Sequence, residues 1–208
     1  MVRCKGPVAS IAASGSIGRA LIFSENKGRR YLKKLTKPKQ PRTDAQLAQR
    51  AISKWISSRW STLSASVMAA WAAYGETVHL PAYQAFLKLN LTRWATYKAP
   101  SLAYPPTEAA PVAVFPSLTP TARLRTVLLV PTAVMWALNA GVVLHRSTTP
   151  GFTPSRSNAI ACTTATLLQR VDYVDGPLQS GTYYYAGSTF TLDGKWGPVT
   201  APFPAVIP

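Results

Sequence analysis

Pro100, Pro105, Pro106, Pro111, Pro116 and Pro120 crowd the stretch from Lys98 to Pro120, and the hydrophobic period differs on its two sides. Proline fixes φ and lacks an N–H, so neither a helix nor a paired strand is expected to run through such a stretch. Upstream, apolar residues recur with a helical period. Tyr83, Phe86, Leu87, Asn90, Leu91 and Trp94 fall at i, i+3, i+4, i+7, i+8 and i+11, which predicts a helix opening at Pro81. A second helix is predicted from about Ser64, presenting Val67, Met68, Trp71 and Ala72 and ending at Gly75 as a C′ residue. A third opens at Thr43, where Thr-Asp-Ala-Gln reads as a capping box and Asp44 suits the positive helix end. Its apolar face is Leu47, Ala51, Ile52, Trp55 and Ile56. Trp55, Trp60, Trp71 and Trp94 are expected to pack a small three-helix bundle rather than to stack on bases.

Downstream of the prolines the pattern is of short strands. Leu124–Val130, Ala133–Leu138, Gly141–Ser147, Asn158–Thr164, Leu167–Asp175, Gly181–Phe190 and Gly197–Pro202 are separated by Pro, Gly, Asn or Ser clusters. Six or seven such runs predict an antiparallel β-sandwich. The apolar run Val127–Leu138 is broken by Pro131 and is too short for a membrane helix, which needs about 20 residues, so it reads as one or two buried strands. No secretory signal is expected either, because Val8–Ala13 is short and small-residued and basic residues follow it.

Charge divides the chain in the same way. Residues 1–100 carry 17 Lys or Arg and 3 Asp or Glu, and residues 101–208 carry 6 and 4, within a total of +16. A chain of this kind attracts polyanions or acidic protein surfaces, and its N-terminal half is the part that does so. The densest run is Phe23–Arg42, with eight Lys or Arg and one acid, Glu25. Ser16–Phe23 and Arg29–Leu35 predict a hairpin around a turn at Ser24–Gly28, with Tyr31, Lys33 and Leu35 on one face and Leu32 on the other. A lone hairpin is marginal in water and needs a partner to pack on. Lys27, Arg29, Arg30, Tyr31, Lys33, Lys34, Lys37, Lys39 and Arg42 are the candidate partner-binding residues. They are suited to acids of a neighbouring subunit or to phosphates, with Tyr31 able to stack.

Little in the sequence points to a reaction. The two histidines, His79 and His145, lie in different halves, and both are expected to be structural. Asp172, Asp175 and Asp193 lack the spacing of a calcium loop and read as turn residues before glycines. Cys4 and Cys162 form no metal or redox pattern and read as free thiols. No phosphate-cradling or dinucleotide motif is present. The expectation is a non-enzymatic protein with no cofactor, metal or small-molecule substrate and no membrane partner.

Two resemblances add to this. Trp136, Val142–Phe152 and Tyr173–Pro198, with its Gly-Thr-Tyr-Tyr-Tyr run, make residues 108–205 resemble a fibronectin type III-like domain. Such domains bind or space and as a class carry no active site. The order of pieces Ser14–Gly18, Phe23–Tyr31, Lys37–Gln46, Ala69–Gly75 and Tyr83–Asn90 resembles proteins of phage and prophage structural gene sets, over about residues 8–95. That resemblance implies a virion component assembled in the host cytoplasm. Its partners would be the major capsid protein or connector and tail subunits, in many symmetric copies, with packaged DNA as a further partner.

The sequence thus predicts an α+β chain in two parts. A basic hairpin arm (1–42) and a helical bundle (43–98) lead through a proline-rich linker (99–120) to an immunoglobulin/fibronectin III-like sandwich (121–208). The expected role is a capsid-associated cement or minor capsid protein, or a head–tail connector component. The alternatives are a nucleic-acid-binding protein with an accessory sandwich, and a tail or surface adhesin using Trp136, Trp196 and Tyr183–Tyr185.

Overall fold

The computed structural model describes residues 15–17, 21–26, 29–34, 43–110, 118–131, 139–164 and 172–208. The chain is α+β and divides into two units, Met1–Pro41 and Arg42–Pro208.

The first unit is a three-stranded antiparallel sheet in the order β1 (Gly15–Ile17), β2 (Leu21–Asn26), β3 (Arg29–Lys34). The predicted hairpin is β2–β3, with Asn26 opposite Arg29 and Leu21 opposite Lys34. Ser24, Glu25 and Asn26, expected in the turn, belong to the strand. The run expected as one strand from Ser16 is divided, because Gly15–Ile17 folds back on Leu21–Phe23.

In the second unit, α1 (Asp44–Trp60), α2 (Ala65–Thr77) and α3 (Ala82–Ala95) are the three predicted helices. Their boundaries show where local rules yield to packing. Thr43 is the N-cap of α1 but makes no side-chain cap bond, and the Gln46 Oε1 that was to complete the box is buried without a partner. Asp44 turns instead to Arg146 on a strand. Helix α2 does not stop at Gly75. That glycine is buried one turn from the C-terminus, where a Cβ would stand 2.5 Å from the Leu80 carbonyl oxygen. It is there to let the α2–α3 connection close over the helix, not to adopt a left-handed turn.

Eight strands follow among the described residues: β4 (Leu118–Arg123), β5 (Thr126–Pro131), β6 (Asn139–Ser147), β7 (Ala159–Thr164), β8 (Tyr173–Asp175), β9 (Gly181–Thr191), β10 (Trp196–Val199) and β11 (Phe203–Ile207). They form two antiparallel sheets. One has the order β4-β5-β8. The other runs β10-β9-β6-β7, with β11 also paired to β9. Strands β4 and β11 were not foreseen, because each contains a proline, Pro120 or Pro204. Both are pieces for which a missing N–H is tolerable, since among the described residues β4 ends its sheet and β11 pairs with β9 alone. Ala133–Leu138, predicted as a strand and holding Trp136, lies outside the described residues.

The larger sheet is covered on both faces, and β6 shows it, with an irregularity between Asn139 and Gly141 that sets Ala140 on the face of Val143. Val142 and Leu144 join Leu118, Val127, Leu129, Tyr185 and Ile207 in a core between the two sheets. Ala140 and Val143 join Ile52, Trp55, Trp71, Phe86, Trp94 and Phe190 in a core between the sheet and the helices. Three layers result: helices, five-stranded sheet, three-stranded sheet. At the helix contact Trp55 meets Phe190 edge-on at 4.9 Å, and Tyr97 stacks on Trp196 at 5.3 Å. Side chains of this size contribute roughly 1.5–3 kcal/mol each on full burial, and aromatic pairing adds about 0.5–1.5. By comparison, the part-buried Arg59–Thr164 hydrogen bond of 3.2 Å at the same contact is a minor term of about 1 kcal/mol.

The expected linker departs most from expectation. Residues 99–110 are not a spacer between separate bodies, since Ala99 and Ser101 are buried. Ser101 donates its N–H to Asn90 Oδ1 at 2.6 Å, and the N–H groups of Leu102 and Ala103 donate to the Leu192 carbonyl. Tyr104 stacks on Tyr74 at 4.4 Å. The Leu102 carbonyl accepts from the Trp71 indole at 2.9 Å. Prolines exclude this segment from any ladder, yet nothing prevents its remaining backbone groups from serving as a strap. Helices, strap and sandwich are therefore one unit, where the sequence suggested two.

Replacing Gly75 by alanine is expected to destabilise the chain by about 1–3 kcal/mol. Urea denaturation of the two proteins checks this; an unchanged midpoint would mean that the corner relaxes at no cost.

Candidate functional site

Among the candidate partner-binding residues, Arg29, Arg30, Tyr31, Lys33 and Lys34 fall on β3. Lys27, Lys37, Lys39 and Arg42 lie outside the described residues. Among the described residues, strand β3 is the outer strand of its sheet. Its register sets Arg30 opposite Glu25, Tyr31 opposite Ser24, Leu32 opposite Phe23 and Lys33 opposite Ile22. Leu32, Lys33 and Lys34 are exposed, Leu32 by 52%. Four of six residues on this edge are cations, and Glu25 is the single acid of the unit.

The tryptophans do not add a stacking surface to this charge. Trp55, Trp71 and Trp94 are at most 3% exposed, as the core reading expected, while Trp60 is half-buried at the edge of that core. Of the aromatics considered for an adhesin surface, Tyr183, Tyr185 and Trp196 bond internally, Tyr184 is half-buried, and Trp136 lies outside the described residues. Tyr185 is fully buried and donates to Asp175 Oδ2 at 2.9 Å. Tyr183 donates to the Gln179 carbonyl. The Trp196 indole donates to the Tyr97 carbonyl at 2.9 Å.

One constellation has the outline of a catalytic triad. Asn158 Oδ1 accepts from the Ser155 N–H at 2.8 Å and lies 2.9 Å from His145 Nδ1. That places the imidazole proton on Nδ1 and leaves Nε2 as the acceptor, 3.3 Å from Ser188 Oγ and 3.5 Å from the Tyr97 hydroxyl. A nucleophile also needs an open side from which a substrate can approach. Here His145 is fully buried, Ser188 is 1% exposed, and Tyr97 occupies the remaining approach. The cluster is a satisfied polar knot where the strap and the helices meet the sheet. Among the described residues no group of His, Cys, Asp and Glu could hold a metal ion.

Two acids read as turn residues are structural anchors: Asp193 does lie in the β9–β10 turn, whereas Asp175 ends strand β8. Asp175, 3% exposed, takes both bonds from Arg146 Nη1, at 2.9 and 2.8 Å, while Arg146 Nη2 pairs with Asp44 at the start of α1. Burial opposes the Arg146 charge, but Asp175 and then Asp44 outweigh it and hold its pKa above the ordinary value. Asp193 accepts from Thr191 Oγ1, Thr107 Oγ1 and the N–H groups of Ala109 and Ala110. Burial raises its pKa, but these four bonds prevail and hold it at about 2. A usable signal existed for Asp175, since Tyr-Val-Asp alternates and puts Asp175 on the inward face with Tyr173. Nothing local marks Asp193, whose partners are more than 80 residues away apart from Thr191. Cys162 is a free thiol whose pKa is pushed well up by burial.

Set against known protein families and against curated protein sequences, the chain matches none.

His145 makes stability depend on pH. Burial, offset only in part by the bonds to Asn158 and Ser155, lowers its pKa from 6.5 to about 4. Between those values the unfolded chain is protonated there and the folded chain is not. Stability is therefore lost as pH falls from 6.5 to about 4, by about 3 kcal/mol from this residue, with no further loss below. Asp193 acts lower, between about 3.8 and 2. Urea midpoints across pH 7 to 4 are expected to flatten in His145→Gln relative to the unaltered chain, and an unchanged slope would contradict the assignment.

Proposed function

We propose that this chain is a non-enzymatic structural protein of a tailed-phage virion, a capsid-associated cement or minor capsid protein anchored through its basic N-terminal unit. The observation that carries the reading is the joint partition of charge and fold. Residues 1–41 hold ten Lys or Arg against Glu25 alone, and they form a unit with its own sheet, apart from Arg42–Pro208. Charge of that density repels itself unless acids or phosphates meet it. A small basic sheet of this kind suits an anchor that is completed on a neighbour, and the larger unit suits a body that braces or projects.

The body supports the fibronectin type III-like reading of its sheets. Consecutive strands are shared out between β4-β5-β8 and β7-β6-β9 with β10 and β11, the antiparallel two-sheet arrangement of immunoglobulin-like sandwiches. Tyr183, near the start of β9, donates its hydroxyl to the carbonyl of Gln179 four residues upstream at 3.2 Å. A tyrosine corner at the entry to the sixth strand is a hallmark of that group. Here β9 follows β8 of the opposite sheet, as the hallmark requires.

The nucleic-acid reading stands second. The cations of β3 favour it, but Trp55, Trp71 and Trp94 are buried in the core, which leaves only the half-buried Trp60 beside the exposed Tyr83 among the aromatics of α1 and α3 as a stacking surface. Mass spectrometry of purified particles, counting this chain against the major capsid protein before and after a salt wash, tests the proposal. Roughly hundreds of copies are expected for a shell component, whereas about a dozen or fewer would move it to the connector or tail. Absence from particles would overturn the virion reading.

A further inference from the structure

Strand β3 reads Arg-Arg-Tyr-Leu-Lys-Lys, two cations on either side of an apolar pair. It lies at the edge of the order β1-β2-β3, and among the described residues no further strand pairs with it. An open edge offers a row of backbone donors and acceptors to any extended segment. Lysines and arginines along it decide which segment is accepted. A second copy of β3 would set cation against cation at four of six positions in either direction, so homotypic pairing is disfavoured. An acidic strand meets the opposite situation.

We propose that the β3 edge is a strand-addition site for a neighbouring protein's acidic extended segment, with acids in the two outer pairs of positions and apolar residues in the middle pair. This rests on the reading of the basic unit as the anchor and names what the anchor takes. The pattern of β3 is symmetric about Tyr31–Leu32, so a strand of the form acid-acid-apolar-apolar-acid-acid complements it whether it runs parallel or antiparallel. Successive strand positions alternate between the two faces of a sheet, and Lys33 and Lys34 are both exposed, so acids on both faces of the added strand find partners. The exposed Leu32 faces the apolar pair. Six residues span about 20 Å, enough for a full short ladder. Main-chain bonding then supplies affinity, and the charge order supplies selection. Duplex DNA offers phosphates but no backbone amides for this edge, which separates it from the proposed occupant.

The test uses the full chain, three peptides and a mixed-sequence duplex DNA. The first has the core Glu-Glu-Val-Val-Glu-Glu. The second has the same composition ordered Val-Glu-Glu-Glu-Glu-Val. The third is the first with alternate backbone amides N-methylated. Binding by fluorescence anisotropy is expected to be about tenfold or more tighter for the first than for the other two, and Lys34→Glu is expected to lose that preference. Equal binding of all three would reduce the site to bulk charge attraction and overturn the proposal. So would failure of every peptide, or binding of duplex DNA alone. Copy number in particles does not enter this experiment, so it fails or succeeds separately from the virion reading.

Discussion

From Tyr185 to Thr191, β9 exposes neither face to solvent. Tyr185 faces the three-stranded sheet and Phe190 faces the helices. A strand covered on both sides is the constraint from which much of the rest follows. Its middle is built of Ala186, Gly187, Ser188 and Thr189, small enough to let layers approach on both sides. The aromatic residues at its ends fill the two cores. Gly141 on the neighbouring β6 obeys the same restriction, since a Cβ there would stand 2.6 Å from the Phe190 ring. Helices α1 to α3 run 13 to 17 residues, close to the length at which an isolated helix is marginal in water. Most of their stability has to come from packing on this sheet rather than from propensity.

Burial on this scale traps polar groups, and their pairing explains the clusters found at the layer boundaries. Arg146 ties β6 to β8 through Asp175 and to the first residue of α1 through Asp44. Asp175 is nearly inaccessible, whereas the Asp44 side chain is one-third exposed. Removing the arginine would therefore strand one buried charge and one partly hydrated one, and the first is the costly loss. His145 stays neutral for the same reason, because the cost of desolvating its cation exceeds what Asn158 and Ser155 return. Asp193 shows the converse. Four donors converge on one carboxylate at the β9–β10 turn and keep it ionised, and through it the strap is held from Thr107 to Ala110.

The helices were legible because their period is local. Phe86, Asn90 and Trp94 are buried as their spacing required, although Tyr83 at the head of the same series is exposed, and Trp71 packs where the second helix was expected to face inward, although Ala72 of that face is exposed. The strands β6, β7 and β9 were legible as runs between turn residues. What was not legible depends on distant partners. The strap reads as a stiff spacer because its prolines are visible and its bonds to Leu192 and Asp193 are not. Gly75 reads as a helix stop because the carbonyl that crowds it belongs to a later turn. Strands β4 and β11 carry prolines that local rules count against them, and only their outer positions make those residues acceptable. Of the candidate site, the edge position of β3 and the exposure of Lys33 and Lys34 came from the structure, while their charge was evident from composition.

The physical division of the chain runs between a small basic sheet and a three-layer body, not between helices and sandwich. That division matters for the proposed role, because an anchor and a brace can then respond separately to a neighbour. Hydrogen–deuterium exchange on the full chain at neutral pH measures it most directly. The amides of α1, α3, β6 and β9 are expected to share one slow rate set by global unfolding, with those of β3 exchanging far faster. Protection of β6 and β9 persisting after α1 and α3 had exchanged would show that helices and sandwich open independently, and would contradict a single three-layer unit.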